Sequence, residues 1–570
     1  MCGIHCTVSW HGFASIDASH EEKLRARGPD SICHHKVAVQ HPTAHAPHAF
    51  LTFTSTVLSL RGSEIVAQPL VDHSTGSVLC WNGEAWNIAS SPVPCNDSKT
   101  IFTLLLHVAV TTDGDRETSK DRVLDILSSI RGPFAFVFYD ASNTRLFFGR
   151  DCLGRRSLVQ WAGSAGDFCL SSISDNVNPD SVTELVANNV YVLKLGDGQR
   201  SAQSGANLTS PQVHVQPAVS VPTLPYPNLN KSIADAAPPL LHLQSPAVLR
   251  LEQCLQGALT LRLQGIRQSD IQSSDQSASK VAILFSGGLD CSVLARMAHD
   301  ILPLTDPIDL LNVAFENPRI HKRMQEAPTG YSPYELCPDR VTGRLSHEEL
   351  RHLCPGRTWR FLSIDIPFEE TMAHRKMIVS LMHPHNTEMD LSIACALYFA
   401  SRGSGTVHDP VTGTPSSYST PARVLLSGLG ADELFGGYQR HATAYSRHSF
   451  TGLIEELELD INRLGKRNLG RDDRVISHWG KETRFPFLDE DLLAWAMAAP
   501  VWEKCGFGQD AGHPGDGSSE GLEPEKKVLR LLAFKLGMTG VAREKKRAIQ
   551  FGARTAKMEG GRTKGTQLLG

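Results

Sequence analysis

With 570 residues, 41% of them hydrophobic, and a net charge of −4, the chain has the length for two or more domains that each bury their own core. A pI near 6.7 leaves no basic footprint for nucleic acid, and the longest apolar stretch, Ile101 to Val110, is broken by His107 and too short to span a bilayer. Thirteen cysteines without a C-x-x-C pair argue against a zinc ribbon or a disulfide framework. No secretory signal is expected behind Met1, since His5, His11 and charged residues follow, so a reducing, cytoplasmic setting is the expectation.

Met1 to about Gly198 alternates short apolar runs with turn signals. The runs predict strands at Met1–Ser9, Ala49–Leu60, Ser77–Trp81, Gly132–Tyr139, Arg145–Gly149, Phe168–Ser172 and Tyr191–Leu195, with helical pieces at Glu22–Arg25 and Lys99–Ala109. Many strands with few helices predict a layered α+β domain. His34, His35, His41, His45 and His48 lie among Ala and Pro and read as a solvated insertion loop rather than a metal site.

From Ser201 to Pro246, eight prolines among Ser, Gln and Ala predict an extended linker. Helical spacing returns at Ala247, with Val248, Leu251, Leu255 and Leu259 on one face. Next comes VAILFSGGLDCSVLAR, Val281 to Arg296: a buried strand to Phe285, a break at Ser286-Gly287-Gly288, and a helix from Asp290. A strand, a glycine turn and a helix N-terminus make an anion site, because unpaired N–H groups and the helix dipole both favour negative charge. Ser286 and Ser292 add hydroxyl donors, and Asp290 can hold a magnesium ion that shields phosphates. The pattern G-x-x-x-x-G-K-[ST] is absent from the sequence, which excludes a kinase or GTPase loop.

Strands at Leu310–Phe315 and Arg423–Leu426 alternate with helices at Leu391–Ala400 and Leu453–Leu464, the pattern of an α/β domain with a parallel sheet flanked by helices. Gly403–Thr420, Gly506–Gly521 and the tail after Glu559 read as surface insertions or disorder. The domains expected are therefore 1–200, a linker over 201–246, 247–559, and a flexible tail at 560–570. HEELRH at 347–352 spaces its histidines five apart, so they cannot share a face and chelate one zinc. GFGQDAG near Gly506 lacks the strand and spacing of a dinucleotide loop.

The N-terminus MCGI places a thiol at residue 2. Once Met1 is removed, the Cys2 α-amine, with an ordinary pKa near ~8, can take the thiol proton itself. MCGI, RGPD (Arg27–Asp30), the pair Gln68-Pro69 and WNGE (Trp81–Glu84) together resemble class II glutamine amidotransferases, whose fold sets antiparallel sheets between helices. That resemblance implies glutamine hydrolysis by Cys2, with the oxyanion held by the Asn82 amide and the Gly83 N–H, donors typically worth ~3 kcal/mol each. It also implies that Arg61, Glu84 and Asp97 bind glutamine. At Arg61 the family's R-L-S-I is R-G-S-E, and the segment to Gln68-Pro69 is shortened.

SGGLDCS resembles the loop of N-type ATP pyrophosphatases. With GRDCLGRRSL (149–158), SGLGADELFGGY (427–438) and RFPFLD (484–489), the layout resembles glutamine-dependent asparagine synthetases. NLGRDDRV and KRAIQFG resemble the subgroup called asparagine synthetase domain-containing proteins. The resemblance implies ATP binding by Phe285, Ser286, Gly287, Gly288, Asp290, Ser292, Ala314, Ser427, Gly428 and Lys546, and Mg2+ at Asp290 and Asp432. The implied substrates are glutamine and aspartate, in a homodimer that engages neither nucleic acid nor membrane. Leu429 and Ala431 stand where the family has a glutamate and a serine, and the family glutamate before the helix at Leu391 aligns near Pro384, with Glu388 out of register. Two alternatives stay open: a non-synthesising regulator that keeps the fold, and an amidotransferase acting on another carboxylic acid.

Overall fold

The computed structural model describes residues 2–40, 47–94, 96–110, 116–163, 166–174, 181–195, 217–233, 238–267, 278–320, 332–509, 521–558 and 564–569. The chain folds into two compact units. The first is Met1–Pro225 with Ser380–His385 and Gly465–Gly480; the second is Tyr226–Val379, Asn386–Leu464 and Lys481–Gly570.

The first unit stacks two antiparallel six-stranded sheets. One carries Gly3–Ser9 between Pro47–Val57 and Phe168–Ser171. The other carries Phe134–Asp140 between Val78–Gly83 and Arg145–Arg150. Side chains alternate along each strand with period two. Ile4, Cys6 and Val8 from one sheet therefore share a core with Val78, Cys80, Val137 and Phe148 from the other. The opposite face of the second sheet, Leu79, Trp81, Phe136 and Phe138, packs with Ile101, Leu105, Val123 and Leu127 of the helices Asp97–Val110 and Arg116–Ser129. Antiparallel sheets between helices are the architecture expected.

The strands expected in this unit are found to within three residues at each end, but the His-rich loop is corrected in part. His34 and His35 sit in a ten-residue strand, Ser31–Gln40, paired with Pro47–Val57. Its half-buried face carries too few apolar residues for alternation to show, and pairing with a strongly apolar neighbour holds it. His41 and His45, and the His48 side chain, lie outside the described residues. In the proline-rich stretch, Ala218–Ser220 adds an edge strand beside Val190–Lys194.

The second unit is built on a seven-stranded sheet. Its five parallel strands run, in spatial order, Trp359–Ile366, Ile308–Phe315, Val281–Leu284, Val424–Leu426 and Glu482–Arg484. The chain starts in the middle, builds to one side, then crosses over and builds to the other. Such a reversal opens a crevice at the carboxyl ends of the two central strands, which here are Val281–Leu284 and Val424–Leu426. The helix Pro246–Leu263 buries Val248, Leu251, Leu255 and Leu259, as its spacing predicts.

Two low-complexity stretches of this unit are corrected. Within 403–420, Ser404–His408 and Pro415–Ser419 form a hairpin on the sheet edge, turned by Asp409, which accepts the Val411 and Thr412 N–H groups. The end of the tail is docked rather than free: Glu388 and Met389 donate N–H bonds to Gln567 and Gly565, and Leu569 donates to Asn386. Backbone pairing needs no apolar pattern, so composition could not reveal it. Among the described residues, no helix is long and apolar enough to cross a membrane, and no disulfide forms.

The helix Leu469–Ser477 of the first unit is buried at every position although it reads LGRDDRVIS. Arg474 donates to Glu184 (2.7 Å) and Ser157 (2.7 Å), and Arg150 lies 3.5 Å from the same Glu184 carboxylate. Burial alone would raise the Glu184 pKa, but the two guanidiniums outweigh it and bring it down to about 2. A carboxylate whose pKa falls on folding stabilises the fold above its unfolded value and loses that stabilisation as pH falls through the folded one. Unfolding free energy should therefore drop by about 3 kcal/mol between about pH 5 and pH 2 on account of Glu184. Denaturant titrations across that range should show Glu184→Gln less stable at neutral pH and less sensitive to acid.

Candidate functional sites

In the first unit, alternation along Val78–Gly83 turns Cys80 inward, Trp81 towards the helices, and Asn82 inward again, towards the sheet that carries Cys2. The Cys2 N–H donates to Asn82 Oδ1 at 3.0 Å. That donor fixes the orientation of the amide. Asn82 Nδ2 is left fully buried without a hydrogen-bond partner. A buried, unpaired donor is costly, on the order of 1–3 kcal/mol, unless an acceptor arrives with a ligand. Gly83 follows where a Cβ would stand 2.5 Å from the Pro133 carbonyl oxygen, so no side chain fits.

Three further sequence candidates meet at this turn. Arg61 donates to the Ala85 carbonyl (2.8 Å) and that of Val93, lies 3.4 Å from the Glu84 carboxylate, and covers the Trp86 ring. Asp97, first in its helix, accepts from the Ala85 N–H (2.8 Å) and the Trp81 indole (3.0 Å). Burial pushes the Asp97 pKa up, against the pull of the Ala85 N–H, Arg61 and Trp81. Gln68 accepts the Trp81 N–H at 2.7 Å and so braces the strand that carries Asn82.

In the second unit, both loops lie at the carboxyl end of adjacent parallel strands. Ser286 to Gly288 follow Val281–Leu284 and lead into the helix Leu289–Ile301. Gly287 has φ +80°, and a Cβ on it would stand 2.4 Å from the Gly343 backbone nitrogen, so the turn requires glycine. The Ser286 hydroxyl accepts the Gly288 N–H (3.3 Å), and Ser427 does the same for Leu429 (3.3 Å). Ser292 Oγ is buried and unpartnered. Phe285 spends its backbone on Leu311 and Asn312, and Ala314 is wholly buried in its strand.

Asp290, in the first turn of the helix Leu289–Ile301, and Asp432, in the first turn of Ala431–Phe435, converge on a residue for which no sequence signal stood out. Lys526 Nζ lies 2.7 Å from both Asp290 oxygens and 2.7 Å from Asp432 Oδ1. Lys546 pairs with the other Asp432 oxygen and lies over the Tyr438 ring. Burial would raise the Asp432 pKa, but the two ammonium groups drive it well down. The neighbouring Glu433 goes the other way, raised by burial and by Asp432, and takes the Tyr438 hydroxyl proton bond at 2.6 Å. Two acids side by side thus hold opposite tendencies. Lys526 stands on the far side of a stretch outside the described residues and caps a helix, Lys527–Lys535, with no loop motif to mark it.

Among the described residues, no three His, Cys, Asp or Glu side chains gather as a protein-only metal cage. Magnesium does not require one: one or two carboxylates with substrate phosphates and water suffice, and Asp290 with Asp432 fits that donor set. His347 of HEELRH is half-buried against Phe361, its pKa lowered to about 4 by burial. Leu429 lies in the turn after Val424–Leu426, and Ala431 opens the helix Ala431–Phe435. Pro384 falls in a segment of the first unit, whereas Glu388 opens the helix Glu388–Arg402 of the second.

Two sites on two such units define an asparagine synthetase-like glutamine amidotransferase. Residues 1–195 match the glutamine amidotransferase domain, and 418–455 and 451–560 match asparagine synthase. More narrowly, the chain belongs to the family of asparagine synthetase domain-containing proteins. It is 33% identical to asparagine synthetase domain-containing protein 1 of Mus musculus, over 100% of this chain and 99% of that protein. It is 32% identical to the Saccharomyces cerevisiae asparagine synthetase domain-containing protein, over 91% and 86%. A putative glutamine-hydrolysing asparagine synthetase of Methanocaldococcus jannaschii is 35% identical over 24% of this chain and 28% of that protein.

Because Lys526 is the shared counter-charge of the buried Asp432 and the partly buried Asp290, and Lys546 still serves Asp432, Lys526→Met should destabilise the protein by about 2–3 kcal/mol in the absence of divalent ions. Millimolar Mg2+ should return part of that loss, seen as a larger rise in melting temperature on adding Mg2+ to the variant than to the wild type.

Proposed function

We propose that the chain hydrolyses glutamine at Cys2 and uses ATP to form an amide, with aspartate as the acid and asparagine as the product. The observation that carries the reading is the Cys2–Asn82 pair, whose Oδ1 fixes the nucleophile's backbone while Nδ2 is left buried and unpaired. With Met1 removed, the α-amine takes the thiol proton and the thiolate attacks the glutamine amide carbon. Asn82 Nδ2 and the Gly83 N–H receive the oxyanion, Arg61, Glu84 and Asp97 hold the amino-acid end, and ammonia departs with the proton from the amine. Water then releases glutamate from the thioester.

At the second unit's crevice, the carboxylate of the acid attacks the α-phosphorus of ATP, pyrophosphate leaves, and ammonia displaces AMP from the acyl adenylate. Ser286 to Gly288, Ser292, Ser427 and Gly428 offer donors to the phosphates, and Phe285 and Ala314 flank the nucleoside end. Lys526 and Lys546 turn from carboxylates to phosphates as the leaving charge develops. Magnesium, held by Asp290 and Asp432, would neutralise phosphate charge. The same reading carries a cytoplasmic setting and a homodimer.

A second reading, a regulator that has lost amide formation, is favoured by one observation. Leu429 cannot act as acid, base or metal ligand, and Ala431 is wholly buried.

Cys2→Ala should reduce glutamine hydrolysis by ~10³-fold or more while leaving ammonia-dependent synthesis intact. Equal hydrolysis by the variant would remove Cys2 from the reaction.

Exchange of labelled pyrophosphate into ATP reports acyl adenylation without ammonia. Loss of a carboxylate and a hydroxyl near the phosphates, about 1–3 kcal/mol, makes a rate about 10–100-fold below a full synthetase the expectation. Exchange with aspartate supports synthesis, and exchange with a different acid redirects the substrate. No exchange with any acid, from folded protein that binds ATP, leaves the regulator.

A further inference from the structure

We propose that Asp473 is a positioning residue for the Cys2 nucleophile, acting through Arg27; the inference rests on the glutaminase reading. Arg27 ends the helix Ala18–Arg27 and is 1% exposed. Its guanidinium has three kinds of partner. Nε donates to the Cys2 carbonyl (3.5 Å), Nη1 to the Ser477 hydroxyl (2.5 Å), and Nη2 to Asp473 Oδ2 (2.9 Å). Asp473 Oδ2 also accepts the Ser157 N–H (3.1 Å), and Arg156 lies 3.7 Å from the other oxygen, so the carboxylate is itself held on several sides.

Cys2 is thus gripped at both ends of its backbone: its N–H by Asn82 and its carbonyl by Arg27. The next residue is fixed too, since the Gly3 N–H donates to Thr56, whose hydroxyl donates to the Leu24 carbonyl of Arg27's own helix. A planar guanidinium keeps its direction only while its fork is occupied. With Asp473 neutral, Arg27 would lose its fixed anion and the Cys2 carbonyl its directed donor. The thiol would then sample directions away from the near-attack position, where a displacement of about 1 Å can cost about a hundredfold in rate. The Asp473 carboxylate bonds to Arg27 and Ser157 with Arg156 beside it, and not to Cys2, so its effect reaches the nucleophile through Arg27 and falls on the turnover step rather than on substrate affinity.

The same helix supplies a control. The next residue, Arg474, serves Glu184, Ser157 and the Leu381 and Met382 carbonyls, and has no bond to Arg27. In the full-length protein, Asp473→Asn should lower kcat for glutamine hydrolysis by about 10–100-fold with KM changed less than about threefold. Ser477→Ala, which removes the hydroxyl acceptor of Arg27 and that hydroxyl's bonds to the Asp473 and Arg474 carbonyls but keeps the carboxylate, should give a smaller fall in kcat. Glu184→Gln should lower the melting temperature with kcat unchanged. Wild-type kcat in folded Asp473→Asn overturns the proposal, as does a kcat loss in Glu184→Gln equal to that in Asp473→Asn. If Asp473→Asn fails to fold, unchanged kcat in Ser477→Ala overturns it instead. Should the wild type itself not hydrolyse glutamine, the glutaminase reading falls separately. The rate of Cys2 alkylation by iodoacetamide then decides the positioning: a change of more than about threefold in Asp473→Asn and not in Glu184→Gln upholds it, and equal rates overturn it.

Discussion

One ammonium group between two carboxylates sets the geometry of the second unit's crevice. Asp290 and Asp432 open the helices that follow adjacent strands, and two like charges brought this close repel strongly in a poorly solvated site. Lys526 at 2.7 Å from both removes the repulsion, and Lys546 adds a second positive charge on the far side of Asp432. The four groups leave a nearly balanced cluster at the carboxyl end of the sheet. Magnesium would bring its two positive charges to the carboxylates while the two ammonium groups turn to the triphosphate's ~4 negative charges, so neither pair is left without a counter-charge. A site charged in one sense only would not permit that exchange.

The first unit solves a different problem with the same economy. Asn82 has one amide with two faces, and the Cys2 N–H occupies its acceptor side. The donor side is buried and without a protein partner, the condition under which a hydrogen bond to a developing negative charge gains most. Rigid support comes from sheet pairing on both sides of the cysteine strand and from Gln68 behind Asn82.

Much of this was legible in the sequence because period-two alternation and glycine turns have direct structural meaning. The cysteine strand, the SGG turn and the strands around them follow from local pattern alone. Lys526 was not legible, because a lysine's role depends on which carboxylates the fold brings to it across more than two hundred residues of chain. NLGRDDRV stood out as a family string, but the burial of Leu469–Ser477 was not legible in it, because only the partners waiting in the first unit make the burial of so many charges tolerable. The tail pairing and the edge hairpin were missed for a related reason, as backbone hydrogen bonds leave no trace in side-chain pattern.

The discontinuity of the first unit bears on how the polypeptide is made. Residues up to Pro225 leave the ribosome first, yet Gly465–Gly480 belong to the same unit. The roughly 250 intervening residues take on the order of ten to fifty seconds to synthesise. During that interval, Arg27, Arg150 and Arg156 have no Asp473 or Arg474 beside them to complete the buried charge network. The amidotransferase unit therefore cannot close as its own residues emerge, and it finishes only after most of the second sheet has been translated. A fragment cut at Pro225 lacks Asp473 and Arg474, so a cut in the linker does not separate this chain into its two compact units.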